Sequence, residues 1–244
     1  MSKKQRSAEE QVTRWEALRE IENVAGKLTY YGIHCWEKQI WEDLWCKKAP
    51  DPTLGVNNGY YKGYEAIMEY YTAWHELQAL RTKLVKDANP EEFADKSLEE
   101  MYGAGSLDVN NLTTPIIELA DDRKTAKGLW YYWRGDTNYE ANGINTNHKM
   151  GWLAIDFVCE DGAWKIWHML EAEDLDFRAG TTWVETAEPM PVDPAYAAIG
   201  EFQFPQPNVP MNVYEKWHDR RKNVDFPGVP KPYDTFADTF SYGI

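Results

Sequence analysis

The stretch Asn110–Asp136, NNLTTPIIELADDRKTAKGLWYYWRGD, and its continuation His148–Glu171, HKMGWLAIDFVCEDGAWKIWHMLE, decide the fold. Apolar, aromatic and β-branched runs are separated here by turn residues: Asp121-Asp122-Arg123, Gly135-Asp136 and Asp161-Gly162. Runs bounded in this way read as antiparallel strands. Asp161-Gly162 between two alternating runs is the strongest hairpin signal in the chain. A curved antiparallel sheet has to bury one face, and the helices able to cover it lie upstream.

A two-residue turn at Asp161-Gly162 sets the register of the last hairpin. His168 then lies opposite Ile155, on one face with Trp164, Ile166 and Leu170. Lys165, Trp167, Met169 and Glu171 take the other face. Asp156 falls with Trp152, Ala154 and Val158, so His168 and Asp156 are expected on opposite faces and in separate pockets. Both sides of WLAIDFV are apolar. That predicts a covered convex face and a homodimer or higher homo-oligomer.

Upstream, Trp15, Leu18, Ile21, Ala25, Leu28, Gly32 and Cys35 recur at helical spacing, with a break or kink placed at Gly32. A second helical run covers Trp36–Trp45 and stops before Pro50. Its basic pair, Lys47-Lys48, sits where the helix dipole favours cations. Residues 51–59, rich in Pro, Gly and Asn, read as a loop. A third helix runs from Tyr64 to about Val85, with Ile67, Tyr70, Tyr71, Trp74 and Leu77 apolar. Most of the 13 prolines lie beyond Thr181, interleaved with aromatic residues. Proline at that density excludes long helices and central strands. The segment reads as an extended arm packed on its own domain or on a neighbouring subunit, with one short helix at 214–223.

Net charge of −14 over 244 residues argues against a nucleic-acid partner, because phosphate binding needs a basic surface. Hydrophobic content of 43% supplies a full core. Cys35, Cys46 and Cys159 have neither zinc nor disulfide-framework spacing and read as buried thiols. No signal peptide or membrane-length apolar run is evident, so a cytoplasmic protein without membrane contact is expected. The 12 Trp, 15 Tyr and 8 Phe suit both a core and a rigid pocket for flat ligands.

Four pieces carry a resemblance: the first helix from Leu18-Arg19-Glu20-Ile21, the element YKGYEAI at 61–67, the strand TPIIEL at 114–119, and EDGAWKI at 160–166. In this order and spacing the chain resembles the SnoaL-like branch of the nuclear transport factor 2-like superfamily, over roughly residues 15–171. The resemblance implies an α+β fold. A curved antiparallel sheet wraps N-terminal helices into a cone with a deep, largely apolar internal cavity, commonly in dimers. The expected organisation is a frayed terminus at 1–12, a cone domain at 13–175 with a helical insert at about 76–106, and the arm at 176–244. Polyketide cyclases, dehydratases and ketosteroid isomerase share this fold, so chemistry has to be argued from the site. Catalytic members often carry an Asp at the end of the first helix; His34 stands there. A His frequent near the start of the TPIIEL-type strand falls at about Asn110.

His34 follows Tyr30 by four residues, one helical face, and an imidazole with a pKa of about 6.5 can exchange protons near neutrality. His168 and Asp156 are the further catalytic candidates, Asp156 because a buried carboxylate is costly unless paired. Tyr31, Asn110, Trp130, Tyr132, Trp133, His148 and Trp152 are candidate substrate contacts. The commoner roles of these residue types are a turn for Asn110, a satisfied core position for His168, and packing for single tryptophans. No metal-ligand spacing, nucleophile motif or phosphate loop appears, so no cofactor is expected. The leading reading is a cofactor-independent lyase or isomerase of the dehydratase/cyclase type acting on a small cyclic or aromatic carbonyl compound. His34 or His168 would be the base, and Tyr30 or Asn110 would stabilise the oxyanion. The alternative is a non-catalytic ligand-binding or assembly module.

Overall fold

A computed structural model describes residues 6–56, 59–140, 143–185, 202–210 and 214–244. Residues 1–5, 186–201 and 211–213, parts of the expected frayed terminus and arm, lie outside the described residues.

Helix α1 spans Ala8–Ile33. Residues 8–12 were expected to fray and are instead its first turn and a half. Ser7 caps it: the Glu10 N–H donates to the Ser7 hydroxyl at 3.1 Å, and the Ser7 N–H donates to the Glu10 carboxylate at 2.8 Å. Ile21, Val24 and Ala25 form its buried side. The run Trp36–Trp45 becomes a short α2, Glu37–Gln39, widening into a π turn, Ile40–Leu44. The backbone N–H groups of Lys47, Lys48 and Ala49 then all donate to the Glu160 carboxylate, at 2.8, 2.8 and 2.7 Å.

The expected loop at 51–59 contains most of a hairpin. Strands β1, Thr53–Val56, and β2, Gly59–Lys62, pair antiparallel, and β1 runs parallel to β6. Thr53, Leu54 and Gly55 are fixed there because the edge of β6 supplies the hydrogen-bond partners an isolated loop lacks. Helix α3, Tyr64–Ala88, absorbs the first part of the expected insert and buries Ile67, Tyr71, Leu77, Gln78, Arg81 and Val85. Turns fill the span to residue 105.

Four long strands follow: β3, Leu107–Leu119; β4, Thr125–Glu140; β5, Gly143–Glu160; β6, Ala163–Arg178. A two-residue β7, Val209–Pro210, completes the order β3-β4-β5-β6-β1-β2-β7. The result is an α+β cone: α1, α2 and α3 sit in the concave face of a strongly curved sheet, antiparallel except for β1/β6. Asp161 (φ 51°) and Gly162 (φ 82°) form the expected tight turn, with Glu160 paired to Ala163.

Two bulges in β6 alter what lies beyond that turn. Phe157 pairs with Ile166 but Asp156 pairs with His168, so Trp167 is extra; Gly151 pairs with Glu173 but Met150 with Leu175, so Asp174 is extra. Each extra residue reverses the alternation. Trp164, Ile166, Met169, Leu153, Ile155 and Phe157 therefore belong to the concave core, and Leu170, Ala172, Ala154 and Leu129 to a second cluster on the convex side. The expected His168–Ile155 pairing is corrected to His168–Asp156.

The described parts of the C-terminal segment lie over the convex face. Tyr214 and Tyr242 join the cluster there, and Phe226 packs on it. Residues 214–223 form no helix. Extended backbone lets the Tyr214 hydroxyl and Arg221 (2.6 Å) both reach the Asp174 carboxylate, while the Trp217 N–H donates to the Asp174 carbonyl at 2.7 Å. Among the described residues no helix is long and apolar enough to cross a membrane.

Candidate functional site

A cavity of about 770 Å³ opens between the end of α1, α3 and the concave face of the sheet. One part of its wall is aromatic. Tyr70 packs against Tyr61 at 4.8 Å and Phe204 at 5.3 Å between ring centroids, and Trp74 meets Phe204 at 5.3 Å. Leu28, Ile40, Leu54, Val56, Leu153 and Met169 add further apolar wall, and charged side chains line the remainder.

Alternation along β4, β5 and β6 delivers these polar groups. Arg134 clamps the Asp108 carboxylate with two hydrogen bonds, 2.8 and 2.6 Å, and approaches Glu171 at 3.7 Å. Glu173 lies between Lys149 (3.2 Å) and Lys216 (3.0 Å), and Lys216 also reaches Asp176 at 3.0 Å. From α3, Arg81 donates to the Asn138 side-chain oxygen at 3.1 Å and lies 3.7 Å from Glu140. Asp136 accepts from the amides of Asn138 (3.2 Å) and Asn147 (3.0 Å).

Four lining groups are buried without a hydrogen-bond partner: Gln78 Nε2, Arg81 Nε, Asn110 Oδ1 and the Tyr132 hydroxyl. Buried polar atoms are nearly always paired, so four orphans around one cavity mark it as a place that receives polar groups. Burial raises the Tyr132 phenol well above its ordinary pKa, and the nearby Glu171 and Glu173 carboxylates add to this. Burial also raises Glu171; Arg134 opposes the rise and Glu173 reinforces it. Glu171 is enclosed by protein yet keeps 22% of its side chain accessible, and it lines the cavity. Glu173 goes the other way. Burial would lift it, but Lys149 and Lys216 override that and hold it at about 2.

Of the residues singled out from sequence, Asn110 and Tyr132 line this cavity. His34 is the exposed C-cap of α1, tilted against Trp36 at 4.9 Å. Tyr30 is 64% exposed, and the Tyr31 hydroxyl donates to Asp43 at 3.1 Å. None of the three lines the cavity. Trp130 is buried in the concave core with its ring against Phe157. Trp133, His148 and Trp152 lie on the convex side: Trp133 stacks on His148 at 6.1 Å, and Trp152 meets Tyr131 edge-on at 4.9 Å.

His168 and Asp156 also lie on the convex side, and together. Their expected separation is corrected by the Trp167 bulge, which turns His168 outward. His168 Nδ1 is 3.0 Å from Asp156 Oδ2, and Lys127 Nζ donates to Asp156 Oδ1 at 2.5 Å. Ser241 (3.1 Å) and the Tyr242 N–H (2.8 Å) donate to the same carboxylate. Both the Ser241 hydroxyl and Asp156 address the same imidazole nitrogen, Nδ1, so no serine–histidine–aspartate relay is formed. The rings of Phe236, Phe240 and Tyr242 surround the Lys127 ammonium at 4.4–5.0 Å. This group is an anchor for the arm.

Sequence reading missed Glu171, Arg134, Gln78 and Arg81. One signal was available: Tyr132, Arg134, Asp136, Asn138 and Glu140 alternate as a polar series along one face of β4. Lys127 also stood out as a charge inside the run TAKGLWYYW.

The chain is similar in structure to a protein of unknown function from Mycobacterium tuberculosis, with 14% identity, a TM-score of 0.46, and 77% of this chain and 84% of the other covered. It is similar to the type 3 hexachlorocyclohexane dehydrochlorinase of Novosphingobium barchaimii LL02, with 12% identity, a TM-score of 0.46 and coverage of 73% and 99%. It is also similar to a nuclear transport factor 2-like superfamily protein from Salmonella enterica, with 14% identity, a TM-score of 0.44 and coverage of 66% and 92%. No protein-family model and no curated protein matches the chain.

Proposed function

We propose that this chain, which has the nuclear transport factor 2-like cone fold, is a cofactor-independent lyase or isomerase acting on a small cyclic carbonyl compound in its cavity. Glu171 removes the proton α to the carbonyl. The C–H electron pair moves into the carbonyl, and the Tyr132 hydroxyl donates to the enolate oxygen that forms. Protonated Glu171 then returns its proton to another carbon, or to a leaving group expelled from the β-position. Arg134, 3.7 Å away, favours the ionised form of Glu171 and opposes the rise that burial imposes.

One observation carries this reading: a buried carboxylate of raised basicity and a phenol without a hydrogen-bond partner line the same cavity. A general base works best when its pKa approaches the working pH, and a phenol beside that base, with no partner in good hydrogen-bond geometry, can turn to charge that appears only in the transition state. The aromatic wall of Tyr61, Tyr70, Trp74 and Phe204 suits a ring. This assignment moves the base away from His34 and His168, and keeps Tyr132 and Asn110 as ligand contacts.

The test is deuterium exchange by NMR, with cyclohexanone derivatives incubated with the protein in deuterated water. Exchange is expected to fall about 100-fold or more in Glu171→Gln, the usual contribution of a positioned base. A comparable fall is expected in Tyr132→Phe. Exchange unaffected by Glu171→Gln would refute the assignment. Saturable binding without exchange would establish the non-catalytic ligand-binding alternative, which the mutual pairing of most charges in the cavity favours.

A further inference from the structure

The charge inventory of the cavity points to the kind of ring compound it takes. Carboxylates outnumber guanidinium and ammonium groups along the wall. The cationic groups are moreover already engaged: Arg134 by Asp108, Lys149 and Lys216 by Glu173, and Arg81 by Asn138 and Glu140. Asp136 and Glu171 are the carboxylates held least tightly by cations along β4 and β6. Asp136 is held by two neutral amides and forms no ion pair among the described residues, and Glu171 has Arg134 no nearer than 3.7 Å. Among the described residues the remaining lining cation, Arg220, is exposed and paired with Asp219, so an incoming anion would meet several carboxylates and only engaged cations. An incoming cation would be drawn by the same carboxylates.

The orphaned polar atoms repeat the pattern in hydrogen-bonding terms. Asn110 Oδ1 is an unpartnered acceptor on the sheet side. Gln78 Nε2 and Arg81 Nε are unpartnered donors three residues apart on α3, where side chains share a face. Gln78 and Tyr132 are 4% and 0% exposed, so bulk water does not satisfy them. A ligand that donates at one end and accepts at the other meets both demands. Tyr61, Tyr70, Trp74 and Phe204 make the wall apolar on one side, where the ring scaffold would pack.

We propose that the cavity selects a protonated amine on a ring scaffold that also carries the carbonyl, and discriminates against the corresponding carboxylate. This deepens the function proposed above and rests on the cavity being a ligand site. The ammonium is met by Asp136 and Asn110 Oδ1. The carbonyl is met by Tyr132 and the α3 donors.

Three probes of similar shape separate the possibilities: dimethylamino-, isopropyl- and carboxylato-substituted cyclohexanone, titrated by calorimetry at neutral pH. The amine is expected to bind about tenfold or more tightly than the neutral isopropyl compound, with the carboxylate weakest. Asp136→Asn is expected to collapse the preference for the amine. Should that variant fail to fold, raising salt about tenfold with the unaltered protein is expected to shrink the same preference, because screening weakens charge attraction. Equal or tighter binding of the isopropyl or carboxylate probe would overturn the inference and leave the proton-transfer reading standing. Failure of all three to bind would overturn both.

Discussion

Asp156→Ala tests the anchor of the arm. Asp156 and Lys127 are each 0% exposed, and the carboxylate accepts from Lys127, His168, Ser241 and the Tyr242 N–H. Deleting it strands an ammonium group among three aromatic rings with no counter-charge. Breaking a buried ion pair by removing one partner costs about 3–5 kcal/mol. For a chain of this size each kcal/mol lowers the melting temperature by about 2–4 °C, so a fall on the order of 10 °C is expected. Burial already lowers the Lys127 pKa, with Asp156 opposing, and without Asp156 it falls further. The folded variant then binds fewer protons than the unfolded chain over the interval below the ordinary Lys value. Its stability therefore rises with pH there, and the deficit shrinks on the alkaline side.

The assay is thermal unfolding by circular dichroism across pH, paired with carboxypeptidase digestion to report release of residues near Tyr242. The double variant Lys127→Met/Asp156→Leu removes the stranded charge as well as the pair. It is expected to recover more than half of the loss, the remainder reflecting the lost acceptor for Ser241 and Tyr242. A single variant that loses less than about 1 kcal/mol, or a double variant no better than the single, would show that this buried pair does not hold the arm.

Glu173 sets an acid limit. Its folded pKa of about 2 lies below the ordinary value, so its contribution is complete above about pH 4.3 and is lost as pH falls toward 2. The urea midpoint should drop across that interval, and less steeply in Lys216→Met. Gly26 and Gly151 should respond oppositely to alanine. Nothing lies within 4 Å of a Cβ on helical Gly26, so Gly26→Ala should stabilise by about 0.5–1 kcal/mol. A Cβ on Gly151 would stand 2.2 Å from the Ala172 carbonyl oxygen, so Gly151→Ala should cost about 3 kcal/mol, read by chemical denaturation. Burial pushes the Cys35 and Cys46 thiols up to about 11 and raises Cys159 as well. Cys159 alone of the three is half-buried, so at pH 8 it should react with a thiol reagent ahead of the other two until the chain is unfolded.

Element types were legible because they rest on local signals: helical spacing in α1 and α3, alternation in β4 and β5, and Asp161-Gly162 at the tightest turn. Facing was less legible. Periodicity did contain the answer for Tyr30. Leu28 and Gly32 line the cavity, and a residue two positions from Leu28 points about 200° away around the helix. The candidate role of the Tyr30–His34 face came from the family resemblance, which overrode that arithmetic. For His168 no local signal existed. A bulge adds one residue to one strand and leaves the composition of both unremarkable, so Trp167 reads as an ordinary member of the alternation.

The same two bulges explain how one strand serves both faces. Without Trp167 as an extra residue, His168 would point into the concave core and Asp156 would lack it as a partner. Without Asp174, strict alternation would place Glu173 and Asp176 on opposite faces; with it both reach Lys216 on the cavity side, while Asp174 turns outward to Tyr214 and Arg221. The apolar convex face that suggested a second subunit is covered, in the described residues, by this chain's own Tyr214, Phe226 and Tyr242. The C-terminal segment is thereby tied to both sides of the sheet, with Phe204 and Lys216 in the cavity wall and Ser241 and Tyr242 on the buried Asp156. Weakening the convex anchor should therefore be felt in the cavity through Lys216, whereas removing Glu171 should alter chemistry and leave the arm in place.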